Sequence, residues 1–153
     1  QGQGNRRYRI FNLMSRETER VLITTKFLEV WPINDWPVKM ENINLPEPAN
    51  GQFAHFILVP GEDLRISLGQ DHMMRHHSYL QIDCYVKLDA GTAQYNPLEE
   101  ILRDQFDDRQ FQTSDNQVIT FGKLRVRNFG PYFQKNRRSF IMEFHRDAHV
   151  NRS

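Results

Sequence analysis

The chain has almost no cysteine: Cys84 is the only one in 153 residues. No internal disulfide can form, so the thiol content gives no sign of an oxidising compartment. Long hydrophobic runs are missing as well. No apolar stretch approaches the roughly 20 residues that span a bilayer. The start, QGQGNRRYRIFN, is polar and basic and reads as no signal peptide, so no membrane partner is expected. Neither charge sign dominates. Twenty basic against nineteen acidic residues leave +1, which argues against nucleic-acid binding as the main task, because that task draws on a basic surplus. Glycine motifs are absent too. There is no GxGxxG, no GxxxxGK[ST] and no GxSxG, so no phosphate cradle or nucleophile elbow can be read.

What remains is an ordinary globular composition, 39% hydrophobic and 25% charged, of a size that fits one core. The most informative stretch is Phe53 to Leu88. Leu80, Ile82, Cys84, Val86 and Leu88 alternate with Tyr79, Gln81, Asp83, Tyr85 and Lys87, which marks a half-buried strand. Cys84 lies on its apolar face and reads as a small core residue. Phe53 to Val59 is apolar on both faces and predicts an inner strand, which Pro60-Gly61 ends or bends. Between the two strands lies an arm, 62–78, that is polar, His-rich and far longer than a tight hairpin needs. Folding alone gives such an arm little reason to exist, and a contact with another chain gives it one.

A helix is expected after Ser15, with Glu17 and Glu19 in its first turns and an apolar stripe of Ile23, Phe27, Val30 and Trp31. Pro32 stops it. Val38–Ile43 is a candidate strand, and 44–51 a Pro- and Asn-containing loop. Asn96 as cap, Pro97 at the first helical position and Glu99 three residues beyond the cap predict a second helix, with Leu98, Ile101, Leu102 and Phe106 inward. Residues 117–127 read as a strand with Ile119 and Phe121 opposite Val118, Leu124 and Val126. Residues 128–138 read as a loop, 139–146 as the last strand, and 147–153 carry no packing signal. The pattern predicts an α+β fold: a mostly antiparallel sheet, two helices packed on one face and a long protruding β-hairpin arm. Residues 1–12 form an N-terminal arm, 13–147 the single domain and 148–153 a C-terminal tail.

The catalytic search comes up empty. His72, His76 and His77 with Asp71 lack the Glu of an HExxH helix, and Arg75 repels a cation, so no metal or other cofactor is expected. Glu99-Glu100 and Asp107-Asp108 are neighbours that point apart on a helix. Two surfaces stand out for contact. One is the arm, through Glu62, Leu64, Arg65, Ile66, Met73, Met74, Arg75, His76 and His77. The other is the basic and aromatic segment 123–138, through Arg127, Phe129, Tyr132, Phe133, Arg137 and Arg138. Interleaved cations and aromatics suit a protein interface or single-stranded nucleic acid.

The element order, with FILVPGE at 56–62, LQIDCYV at 80–86 and KLRVRNFGP at 123–131, resembles the phage tail terminator (tail completion) proteins of long-tailed phages, of the lambda type. The resemblance covers residues 14–147. It implies a non-enzymatic structural protein that forms a hexameric ring on the tail tube and stops tube polymerisation. The implied partners are further copies of itself, the tail tube protein and a head-side connector or neck protein, with genomic DNA passing through the lumen unread. The implied location is the tail or neck of the virion, reached from the host cytoplasm during assembly. Another neck or connector protein, or a small nucleic-acid-binding module using 123–138, are the alternative readings.

Overall fold

Alternation predicts a strand at 79–88, and the strand that forms begins seven residues earlier. In the computed structural model, which describes residues 17–40, 46, 48, 50–69, 72–88, 91–112, 117–132 and 135–150, β3 runs His72–Lys87. Strand β7, Lys135–Val150, pairs antiparallel with all of it, from His72↔Val150 to Lys87↔Lys135. Strand β2, Phe53–Arg65, lies antiparallel on the other edge of β3. A short β1, Val38–Lys39, joins β2 in parallel. Beyond β7 come β5, Val118–Phe121, then β4, Gln110–Gln112, while β6, Arg125–Tyr132, also pairs with β7. The result is one mixed, mainly antiparallel sheet with two helices: α1 over 17–30 and α2, Asn96–Gln105.

The core follows from the alternation. Leu80, Ile82, Cys84 and Val86 are at most 1% exposed and join Ala54, Phe56, Phe140 and Met142 from the flanking strands. Helix α1 adds Ile23 and Phe27 to the same cluster, Trp31 joins from just past its end, and α2 adds Leu98 and Leu102. The Phe27 ring lies 4.7 Å from Phe56 and 4.8 Å from Trp31. Pro32 ends α1 as expected, and the Trp31 indole donates to the Trp36 carbonyl at 2.9 Å, which closes the turn. Burial pushes the Cys84 thiol well up, helped by neighbouring Asp83, so Cys84 behaves as a small apolar residue.

Register shifts explain where alternation misleads. Phe121 pairs with Phe144 and Arg125 with Ile141, so 122–124 are three residues opposite two. That extra residue flips the face. Ile119, Phe121 and Leu124 are therefore all buried, and Val126 packs against the same core, whereas strict alternation sets the two pairs on opposite faces. A second shift sits between Pro60 and Asp63, where Gly61 and Glu62 face His77 alone. A Cβ on Gly61 would lie 2.8 Å from the His77 carbonyl oxygen, so glycine is required there.

Residues 63–65 and 72–78 are paired strands. Three expectations are corrected. Residues 128–132 and 135–138, expected as a loop, belong to the paired strands β6 and β7, because backbone groups in a sheet pair wherever a partner strand continues. The last strand passes Arg146 and reaches Val150. Asn96 does not cap α2: a 3-10 turn, Ala93–Tyr95, winds straight into the helix, and Asn96 already has helical angles, φ −59° and ψ −44°. The expected arm at 1–12, the Ser15 cap, Asp71, Phe133, residues 41–43 and the last three residues lie outside the described residues.

Ile82→Ala and Leu102→Ala should each lower unfolding free energy by about 2–5 kcal/mol. Chemical denaturation followed by tryptophan fluorescence measures this, and unchanged midpoints would show that these side chains do not share the core.

Candidate interaction surfaces

Past the Gly61 shift, the arm is three strands wide. Asp63–Arg65 pair with Met74–His76, and these pair in turn with 146–148. The end is closed by the Ile66 amide donating to the Met73 carbonyl at 2.9 Å and the Met73 amide to the Ser67 hydroxyl at 2.7 Å. Arg65, expected as a contact residue, ties its own loop by donating to the Ser67 carbonyl at 2.9 Å. Leu64, Ile66 and Leu68 are the exposed apolar residues here, and Leu68, at 91%, is the most exposed of them. Sequence reasoning missed Leu68, although an isolated leucine beside Gly69 in a polar segment is a readable signal.

The inner residues of the arm play a different part. His76 is buried, with Nδ1 2.6 Å from an Asp63 carboxylate oxygen. Across the ladder from it stands Arg146, fully buried. Arg146 donates through Nε to Glu19 of α1 at 2.8 Å and through a terminal nitrogen to Gln117. Two apolar positions of β7, Met142 and Phe144, precede Arg146 on the same face. The strand therefore places a guanidinium where a core residue would continue, and Glu19 neutralises it. This pair fastens the arm's base to α1.

The opposite face of the arm holds Arg75, His77, His145 and Asp147. Arg75 donates two bonds to Asp147, at 2.8 and 3.0 Å. His77 and His145 lie with ring centres 5.9 Å apart. The hydrogen bond from Arg75 holds the Asp147 carboxyl below its usual range. Burial, then the charge of Arg75, holds His145 below its ordinary 6.5. Met73 and Met74 are half-buried and Glu62 is exposed.

The basic segment is built on the β6–β7 hairpin. Phe129, 39% exposed, sits at a register shift before Gly130, whose φ is +68°. The Arg137 guanidinium lies 3.8 Å and that of Arg127 5.2 Å from the centre of the Phe129 ring. Arg138 turns to the other face, over the Tyr95 ring at 4.7 Å, and donates to the Asn128 side chain at 2.6 Å. The structure thus brings Arg127, Phe129 and Arg137 together and separates Arg138 from them. Tyr132 ends β6. The sheet face around this cluster carries Ile57, Tyr79, Gln81, Tyr85 and Ile141, all half-buried and outside the core cluster. Among the described residues, no group of three His, Cys, Asp or Glu side chains converges as a metal site. No described helix is long and apolar enough to cross a membrane.

The chain is a small sheet-rich domain with exposed apolar residues at 64–68 and a cation–aromatic cluster on β6 and β7. Its family is defined by sequence: the phage tail terminator protein family matches residues 22–132, more than half of the chain, and the chain belongs to that family. The match runs from α1 through the arm to the end of β6. The family is one of structural phage tail proteins. No curated protein matches at a significant level. One solved chain shares the fold at a TM-score of 0.61, with 12% identity, over 83% of this chain and 94% of its own length. At that identity the likeness speaks for the fold alone.

The pH dependence of the arm has a definite sign. Asp147 and His145 both bind a proton less readily when folded than when unfolded. Their contribution is complete above 6.5, falls as His145 is forced to charge below that value, and falls again as Asp147 protonates below 3.8. Amide exchange in 72–77 and 144–150, corrected for intrinsic rates, should therefore be faster at pH 5 than at pH 7.5, and His145→Gln should flatten the difference.

Arg146→Ala leaves Glu19 buried without its partner and should cost about 3–5 kcal/mol. The double variant Arg146→Met with Glu19→Gln should recover much of that loss. Equal melting of the two variants would disprove the fastening role.

Proposed function

We propose that this chain terminates the phage tail. Copies close into a ring, six by family resemblance, on the last layer of the tail tube. One surface of the ring matches the tube, the other refuses a further tube subunit and receives a head-side connector or neck protein, and DNA passes through the lumen without sequence recognition. The mechanism is geometric, because head-to-tail contacts that close give a fixed copy number instead of a filament. The observation that carries this reading is the family match over residues 22–132.

In this reading both helices pack on one face of the sheet and the β2–β3 hairpin projects as an arm. Leu64, Ile66 and Leu68 at its end supply the apolar contact with a neighbouring copy or the tube. Association costs translational, rotational and side-chain freedom, so the free chain associates weakly and closes on its template. Assembly proceeds in the host cytoplasm and ends in the virion.

The second reading, a nucleic-acid-binding module, draws on the cations and Phe129 of the β6–β7 hairpin. A phage lacking the gene separates the two. It should produce overlong or headless tails that the wild-type chain corrects, whereas Leu64→Asp with Leu68→Asp should fold normally and fail to correct them. Normal tails from the deletion, with specific nucleic-acid binding by the purified chain at physiological salt, would replace the tail-end reading.

A further inference from the structure

Residues 123–138 hold six of the chain's twenty cations and none of its nineteen acidic residues, leaving fourteen cations against nineteen acids elsewhere. These cations are not loosely strung. Two guanidinium groups, Arg127 and Arg137, lie on the Phe129 ring, which holds their planar forks in place. Register puts Arg127 opposite Ser139, on the sheet face away from the core, and Arg125 opposite Ile141 on the same face.

The complementary charge lies in another segment. Residues 99–108 hold five carboxylates and one arginine. Leu98 and Leu102 of α2 are buried, so Glu100 and Asp104, both exposed, point outward from the core. Within one chain the two segments meet at one edge, where Lys123 donates to Asp108 at 3.2 Å and the Leu124 amide to Asp107 at 2.6 Å; Glu100 and Asp104 are left for a second copy to engage. We infer that the cation–aromatic face of one copy docks on the outer surface of α2 of the next, in a head-to-tail contact that repeats around an assembly. This contact rests on the ring reading and names the surfaces that would form it. Opposite charge steers the copies and excludes the reversed pairing. A carboxylate edge also fits an arginine fork well. A nucleic-acid base would need the Phe129 ring for stacking, and that ring already carries two guanidinium groups.

Charge reversal tests the contact in the full chain. Arg125→Glu with Arg127→Glu reverses one surface, and Glu100→Arg with Asp104→Arg reverses the other, all at exposed positions, with an unchanged thermal midpoint as the folding control. Sedimentation at rising concentration and low salt should show weak association of the wild type that salt suppresses. Each pair of reversals should weaken it at least about tenfold, and the fourfold swap should restore it. If the free chain stays monomeric, the same pattern is required in tail-length correction of a phage lacking the gene. Association or tail correction that ignores either reversal overturns the contact while leaving the ring reading standing. Failure of the wild-type chain to correct tail length sinks the ring reading and this contact with it. Loss of single-stranded DNA binding in the Arg125/Arg127 variant, with self-association intact, assigns the face to nucleic acid and overturns the contact.

Discussion

The structure depends on the ladder between β3 and β7. Both strands have sixteen residues, and every residue of one faces a residue of the other. Because side chains alternate along a strand, that single register decides which residues enter the core and which face outward. It sets Ile82 against Phe140 and Leu80 against Met142. The same ladder, continued past the end of the core, puts His76 against Arg146 and Arg75 against Asp147, and so builds the arm. Core and arm are one piece of sheet rather than a body with a loop attached.

That continuity has a consequence for burial. Where the core ends, its face must either be exposed or become polar and paired. Arg146 shows the second solution. Its guanidinium is fully buried, yet its Nε is bonded to Glu19, and a buried charge is tolerated only with such a partner. His76, also buried, is hydrogen-bonded to Asp63 on the neighbouring strand. These pairs join α1 and the first part of β2's distal end to the central ladder, so the exposed Leu64, Ile66 and Leu68 are presented on a supported hairpin.

The two sides of the sheet divide the remaining work. The side holding Leu80, Ile82 and Cys84 belongs to the core cluster, to which α1 contributes Ile23 and Phe27 and α2 contributes Leu98 and Leu102. The other side is half-buried, mixed in polarity and bordered by the Arg127–Phe129–Arg137 stack.

Much of this was readable in the sequence. The alternation at 79–88, the stripe Ile23–Phe27–Trp31 ended by Pro32, and Leu98 with Leu102 in a second helix all follow from periodicity, because burial of one face imposes a period on the residues. Phrases such as FILVPGE and LQIDCYV were enough to suggest the family. Strand continuation past Arg146 was also written there, in Met142, Phe144, Ala148 and Val150 at every second position, but an arginine at the intervening position reads as an end. Its partner, Glu19, is 127 residues away, and no local pattern reveals such a pairing. The register shifts at Gly61, at 122–124 and at Phe129 likewise belong to the tertiary structure. Each arises because two strands of unequal local length must stay paired along one partner, and that mismatch exists only once the sheet is assembled.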